Sequence, residues 1–376
     1  MIESILTKSG LQHTLTDMNA QPQGRANNGL EGVVAAETRL SMVDGERGEL
    51  LIAGYRLEQL TQHDFEGVVA LLWDAAGLEA ARVKAALLAP ATLVVLRDAA
   101  SRGADPMDAL RMAAGTLSAA TDADAARLLV GSFPTIVAAY SRLVHGSEPL
   151  APRGDLGLAA NYLYMLTGAV QQPELVRALD VYLATVADHG LNASTFAARV
   201  IVSTGSDFVS AIAGAVGALK GPLHGGAPGP ALETVFEIGD ASRAELVLRR
   251  KLERGERLMG FGHRVYKVRD PRADILSAAA ALMFARAGDA QLYELARAVE
   301  TTALRLLEEH KPGRRLKTNV EFYTALLLCG LGIDTPFFTP TFALGRVAGW
   351  TAHCFEQRTV GRLIRPQSVY VGRVPE

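Results

Sequence analysis

With 376 residues, 49% hydrophobic and 21% charged, the chain can bury a sizeable core, and at about 150 residues per domain its length suggests two domains. A formal net charge of −2 excludes the basic footprint of a nucleic-acid or anionic-membrane binder. No run approaches the ~18 apolar residues of a membrane span, so small-molecule chemistry is expected, with neither nucleic acid nor membrane as partner.

Residues 1–30 are polar, rich in Gln, Asn and Gly, and read as a loosely held arm. The opening MIESILTKSG carries no apolar signal-peptide core, and a cytoplasmic setting is expected. In VVAAETRLSMVDGERGELLIAGY, short β-prone runs flank an Asp-Gly turn signal, which predicts a small hairpin or ribbon. From Leu57 onward Ala, Leu, Arg and Glu recur at helical spacing, cut by punctuation such as GADPM, SEPLAPRGD, GPLHGGAPGP, RDPRAD and GIDTPFFTP. The fold class is therefore mostly α and multi-helical, with a minor β hairpin near the N-terminus. SDFVSAIAGAVGALK and FYTALLLCGLG are apolar nearly all round, which implies burial among helices or at a subunit interface. The two cysteines, Cys329 and Cys354, lie in helix-like apolar contexts without pairing or ligand spacing and read as buried thiols of a reducing compartment. The eight histidines show neither HxxxH nor HxE spacing, so no metal is expected.

Six places carry candidate chemistry. ADHGLNASTFAARV sets His189 beside Asp188 at a helix start, where a substrate-facing histidine and a structural one both fit. In GPLHGGAPG the single polar side chain is His224, on glycine- and proline-rich backbone that lets a ligand come close. A helix begins just after it, so its imidazole is predicted to face a helix N-terminus. The partial positive charge there disfavours imidazolium, and a neutral imidazole can donate to a carbonyl that is becoming an enolate. A plain interhelical turn is the simpler alternative. MGFGHRVYKVRDPRAD places His263 after Gly260 and Gly262 and opens a helix with Asp270 as N-cap and Pro271 at N1. Arg272 then falls in the first turn, where the dipole disfavours a cation, so it needs an anionic partner such as a substrate carboxylate. In KTNVEFYTALLL, Thr318 and Glu321 fit a capping box, a structural account that competes with a catalytic one. Arg346 interrupts an apolar helix in TFALGRVAGWTAH and needs a partner or a route to solvent. Arg365 precedes a proline in the extended GRLIRPQSVYVG.

Taken in order, DHGLNASTFAARV, GALKGPLHGGAPG, MGFGHRVYKVRDPRAD, NVEFYTALLL, GRVAGWTAHCFEQR and LIRP resemble the citrate synthase family, from about Gly32 to near the C-terminus. The resemblance implies a homodimer with a large helical domain, residues 1–222 and 332–376, and a smaller domain, residues 223–331, that closes over the substrates. It implies a Claisen-type condensation of an acyl-CoA with oxaloacetate, followed by hydrolysis of the thioester. His224 would then stabilise the enol, His263 polarise the ketone and Glu321 remove the α-proton. His189, Arg272, Arg346 and, across the subunit interface, Arg365 would hold oxaloacetate, with Lys267 and Arg314 near the phosphates of CoA. No permanently bound cofactor is implied, because the CoA thioester is a substrate. The match breaks at the base, where the family's PNVD is TNVE here. Glutamate adds roughly 1.5 Å of reach, and a misplacement of about 1 Å can cost on the order of 10²-fold in rate. Use of propionyl-CoA to make 2-methylcitrate, a non-catalytic binder of oxaloacetate or CoA, and cleavage of citryl-CoA are the alternatives.

Overall fold

The computed structural model describes residues 29–374, apart from 31, 79–81, 226–227, 264 and 288–289. The polar arm expected over residues 1–30 falls almost wholly outside the described residues. Residues 38–364 form one compact unit, and the described terminal residues, 29–37 and 365–374, belong to a second.

The predicted ribbon is present as a three-stranded antiparallel sheet in the order β1 (Ser41–Asp44), β2 (Glu49–Ile52), β3 (Tyr55–Arg56). Every second residue of β2, Leu50 and Ile52, is buried, which pins its register. The helices follow: α1 (Leu57–Leu60), α2 (Phe65–Ala75), α3 (Pro90–Ser101), α4 (Pro106–Ala114), α5 (Asp122–Val144), α6 (Leu158–Thr167), α7 (Pro173–Thr185), α8 (Ala193–Ser203) and α9 (Phe208–Leu219). Beyond these come α10 (Pro228–Ile238), α11 (Ala244–Glu253), α12 (Pro271–Ala287), α13 (Ala290–His310), α14 (Val320–Gly330) and α15 (Phe338–Val360). Their starts are written in short polar side chains: Asp64, Asp105, Thr121, Asn192, Asp207 and Asn319 each accept a first-turn amide hydrogen. Proline at the first position begins α3, α4, α7 and α12, where its missing N–H costs nothing.

The core is continuous through this unit. Helix α15 packs against α2, α5, α7, α8 and α9 and brings Trp350 and Arg346 to full burial, while α12 lies between α7 and α14. FYTALLLCGLG is buried as expected, from Phe322 to Leu328. In α9 the buried face is Phe208, Ala211, Ile212, Ala215, Val216 and Leu219, leaving small residues such as Gly217 on the other side. Cys354 is buried, and burial pushes its thiol up to about 12. Cys329 differs from expectation in being only part-buried. Among the described residues no helix is long and apolar enough to cross a membrane.

Candidate active site

The site is assembled from three loops that end at helix starts. The first leads into α8. His189 precedes it, and its Nε2 lies 3.0 Å from the Tyr266 hydroxyl. The preceding Asp188 is fully buried, accepts from Ser41 Oγ at 2.5 Å and lies 3.2 Å from His353 Nε2. Ser41 Oγ in turn accepts the amide of Gly190, so the β1 strand clips both ends of the histidine's peptide. Burial acts to raise the Asp188 carboxyl, but His353, Arg346 and the Ser41 hydrogen bond outweigh it and hold it below the usual range. Behind Asp188 the network continues inward. Arg199 Nη1 lies 3.0 Å from His353 Nδ1 and donates to Glu356 at 2.6 Å, while its Nε donates to Gln357 at 3.0 Å.

The second loop carries His263. Gly260 and Gly262 adopt φ of +89° and +85°, conformations that a side chain disfavours, and they turn the chain so that the His263 ring packs edge-on against His189, ring centroids 5.8 Å apart. Nδ1 of His263 accepts the amides of Val265 and Tyr266 at 3.0 and 3.1 Å. A nitrogen that accepts carries no proton, so these two amides place the proton on Nε2, outweighing the longer 3.5 Å approach of Arg272 Nη2 to that nitrogen. The loop rests on the ribbon: a Cβ at Gly45 would run into the Val265 carbonyl, and the Lys267 amide donates to the Gly45 carbonyl at 2.9 Å. Burial and the Arg272 charge push the His263 imidazole down to about 4.

The loop then starts α12. Asp270 caps it as predicted, accepting the Arg272 amide at 3.0 Å, but it also grips the Arg272 guanidinium, Nε at 3.0 Å and Nη2 at 2.8 Å. The anionic partner expected for Arg272 is thus first of all internal. Asp270 also accepts the Val320 amide at 3.2 Å, tying α12 to the third loop.

That third loop overturns the expected capping box. The N-cap of α14 is Asn319, whose side chain accepts the Glu321 amide at 3.0 Å, so Glu321 is at the second helical position and does not reach back to Thr318. The Thr318 hydroxyl donates instead to Glu300 at 2.6 Å. Freed from capping, the part-buried Glu321 has its carboxyl pushed up to about 7 by burial, an effect that the Arg272 charge reduces.

His224 does face a helix N-terminus, but that of α8 rather than of α10, which follows it in sequence. Its Nε2 lies 3.3 Å from the Ser194 amide nitrogen and 2.8 Å from Ser194 Oγ, which is itself held by Trp350 Nε1 and Asn192. The longer amide contact fits a proton on Nδ1, whereas the shorter Oγ contact, with the Ser194 hydroxyl hydrogen directed to Asn192, fits one on Nε2. Burial first, and the Arg346 charge second, push this imidazole down to about 4. Arg346 is buried, donates from Nε to the Val186 carbonyl at 2.8 Å and lies over the Phe342 ring; burial pulls its guanidinium down to about 10. The shared electrostatics define one site: Arg272 acts on His189, His263 and Glu321, and Arg346 on His189 and His224. His189 is held neutral, its imidazole pushed well down by burial and by these charges.

Lys267 and Arg314 are exposed on loops, and Arg365 is exposed at the head of the C-terminal segment, in the other unit. Sequence reasoning missed Tyr266, Ser194 and Trp350, and the chain Asp188–His353–Arg199–Glu356. The signals were faint: a Ser after the Asn192 N-cap, and His353 and Glu356 three apart on a helix face. Among the described residues no cluster of His, Cys, Asp and Glu could hold a metal ion.

Fold and site together define a helical enzyme scaffold with neutral histidines and a carboxylate around two buried arginines. The family model described as citrate synthase, C-terminal domain, matches residues 29–367. Citrate synthase 2 of Bacillus subtilis is 39% identical over 366 residues, covering 92% of this chain and 96% of that protein. The crystal structure of citrate synthase from Pyrobaculum aerophilum superposes with a TM-score of 0.83 at 35% identity, covering 100% of this chain and 98% of that one. A ternary complex of carboxymethyl coenzyme A and oxaloacetate with citrate synthase from Thermoplasma acidophilum gives a TM-score of 0.82 at 29% identity, covering 94% and 97%. The chain belongs to the citrate synthase family.

Proposed function

We propose that this enzyme, an acyltransferase, condenses acetyl-CoA with oxaloacetate and hydrolyses the citryl thioester, releasing citrate and CoA. The observation that carries the reading is a buried carboxyl pushed up to about 7, Glu321, which shares the buried Arg272 with His263, while burial and the buried arginines keep the His263 and His224 imidazoles neutral. Glu321 takes a methyl proton from the thioester, and the ring N–H of the neutral His224 hydrogen-bonds the oxygen of the resulting enolate. The enolate carbon bonds to the ketone carbon of oxaloacetate, whose oxygen is hydrogen-bonded by Nε2–H of His263 and ends protonated by the proton that Glu321 removed, which restores the Glu321 carboxylate. Water then cleaves the thioester. Neutral donors suit both carbonyls, since their charge appears only as the reaction proceeds.

His189, Arg272 and Arg346 hold the keto-diacid in this reading, and Arg365 of the second subunit adds a third cation against its two carboxylates. The face of α9 that carries Ala213 and the exposed Gly217 suits close helix packing between copies. Residues 223–331 act as the smaller domain that closes over the substrates and excludes water. Lys267 and Arg314 receive the CoA phosphates, and the work takes place in the cytoplasm, where cysteine thiols stay reduced.

The test is release of free CoA by the purified protein with oxaloacetate and either acetyl-CoA or propionyl-CoA. The reading expects turnover with a higher kcat/KM for acetyl-CoA. A preference of about tenfold or more for propionyl-CoA would reassign it to 2-methylcitrate synthesis, a difference within the ~1–3 kcal/mol that one methylene supplies. Oxaloacetate binding without turnover would make it a non-catalytic binder.

A further inference from the structure

Beneath the Glu321 loop lies a carboxylate that the reaction does not use. Glu300, on α13, is 3% exposed, yet it is far from unpaired. Its Oε1 accepts from the Thr318 hydroxyl at 2.6 Å and from Arg269 Nη1 at 2.5 Å, while its Oε2 accepts from the Tyr323 hydroxyl at 2.6 Å and from Arg297 Nη1 at 3.0 Å. Burial acts to raise this carboxyl, but those donors overcome it and hold it ionised.

The partners are not scattered. Thr318 precedes the Asn319 cap of α14, two residues before the helical turn that carries Glu321, and Tyr323 follows on the same helix. Arg269 precedes Asp270, which grips Arg272. The same two strands are stitched directly as well: the Asp270 amide donates to the Thr318 carbonyl at 3.3 Å, the Gly262 amide to the Lys317 carbonyl at 2.7 Å, and the Asn319 amide to the Gly260 carbonyl at 3.0 Å. Phe261 and Thr318 form an antiparallel bridge. One buried anion therefore fastens the segment that delivers the base to the segment that delivers His263 and Arg272.

We infer that Glu300, acting through the Thr318 hydroxyl, is a positioning residue that sets where the Glu321 carboxylate stands relative to His263 and Arg272. The physical case rests on geometry. A backbone turn at a helix start is otherwise held only by its cap and its bridging amides. A short, charge-assisted O–H···O⁻ bond from a buried carboxylate removes the remaining freedom. Thr318 is 1% exposed, and among the described residues its hydroxyl hydrogen goes to Glu300. The inference deepens the proposed function and depends on Glu321 being the base.

The test is steady-state kinetics of Thr318→Val, which keeps the shape and deletes the hydroxyl, beside Thr318→Ser, which restores it. Proton abstraction is sensitive to sub-ångström placement, so Thr318→Val is expected to lower kcat about tenfold with KM for oxaloacetate within about twofold, and Thr318→Ser to recover most of the loss. In a Glu321→Gln background, whose residual rate no longer depends on base placement, adding Thr318→Val is expected to change nothing. If the valine variant does not fold, Thr318→Ala supplies the same comparison. A full-rate Thr318→Val, or a penalty that persists unchanged in the Glu321→Gln background, would overturn the inference while leaving the proposed function standing. A wild-type protein that releases no CoA would overturn both.

Discussion

At the scale of single residues, the decisive contrast is between one group pushed up and two pushed down. Glu321 rises to about 7 because burial removes water from its carboxylate, and His224 and His263 fall to about 4 because burial and the buried arginines disfavour a second cation. The sign of the pH dependence follows. The base works only when deprotonated, so kcat/KM should fall about tenfold per unit as pH drops below about 7. The histidines are already neutral from about pH 5 upward and should add no inflection between pH 5 and 8. A pH–rate profile of the free enzyme checks this; an acid limb centred near 4.5, or a further inflection near 6.5, would point to other titrating groups. Glu321 is not consumed in capping, because the N-cap is Asn319, one position later than the Thr318 frame assumed.

At the scale of elements, the loops that bear chemistry are each held from behind by ionic groups the helices bury. The chain Asp188–His353–Arg199–Glu356 spans the loop before α8, α8 itself and α15, and Glu356 also accepts the Arg39 amide at 2.8 Å. Replacing Arg199 with Met would leave Glu356 charged and buried without its cation, and loss of one member of such a pair costs about 3–5 kcal/mol. Urea unfolding of Arg199→Met should show a loss of that size, and a change below about 1 kcal/mol would mean the network is not coupled to folding. Much of this layer was illegible in the sequence, for a physical reason. Asp270 and Pro271 announce a helix start by local chemistry alone, so that start was read correctly. Thr-x-x-Glu and Asn-x-Glu overlap in TNVE, and local chemistry cannot choose between them. The choice was made by Glu300, 18 residues upstream of Thr318, which draws the hydroxyl away. His224 was placed correctly at a helix N-terminus, yet the helix is α8, a partner that only tertiary packing supplies. Ser194 and His353 looked like ordinary helix residues because their roles depend on what faces them.

At the scale of the whole molecule, the helical class and the N-terminal ribbon followed from composition and periodicity, since long Ala- and Leu-rich segments leave little choice of element. The proposed exchange of Arg365 between subunits makes a prediction that single-chain function does not. A subunit carrying Arg365→Ala keeps its own Glu321, and one carrying Glu321→Gln keeps its own Arg365. Co-expressed, they should form mixed dimers in which one site of two is complete, recovering roughly a quarter of wild-type activity on statistical pairing, although each variant alone is impaired. A mixture no more active than its separate parts would mean that Arg365 serves its own subunit or none. The proposed reaction requires a carboxylate at position 321 that takes a proton from carbon. Its most direct measurement is kcat for CoA release by Glu321→Gln beside wild type at pH 8, with oxaloacetate binding followed in parallel. The expected result is a loss of about 10³-fold with oxaloacetate affinity retained. A glutamine variant that turns over within about tenfold of wild type would contradict it.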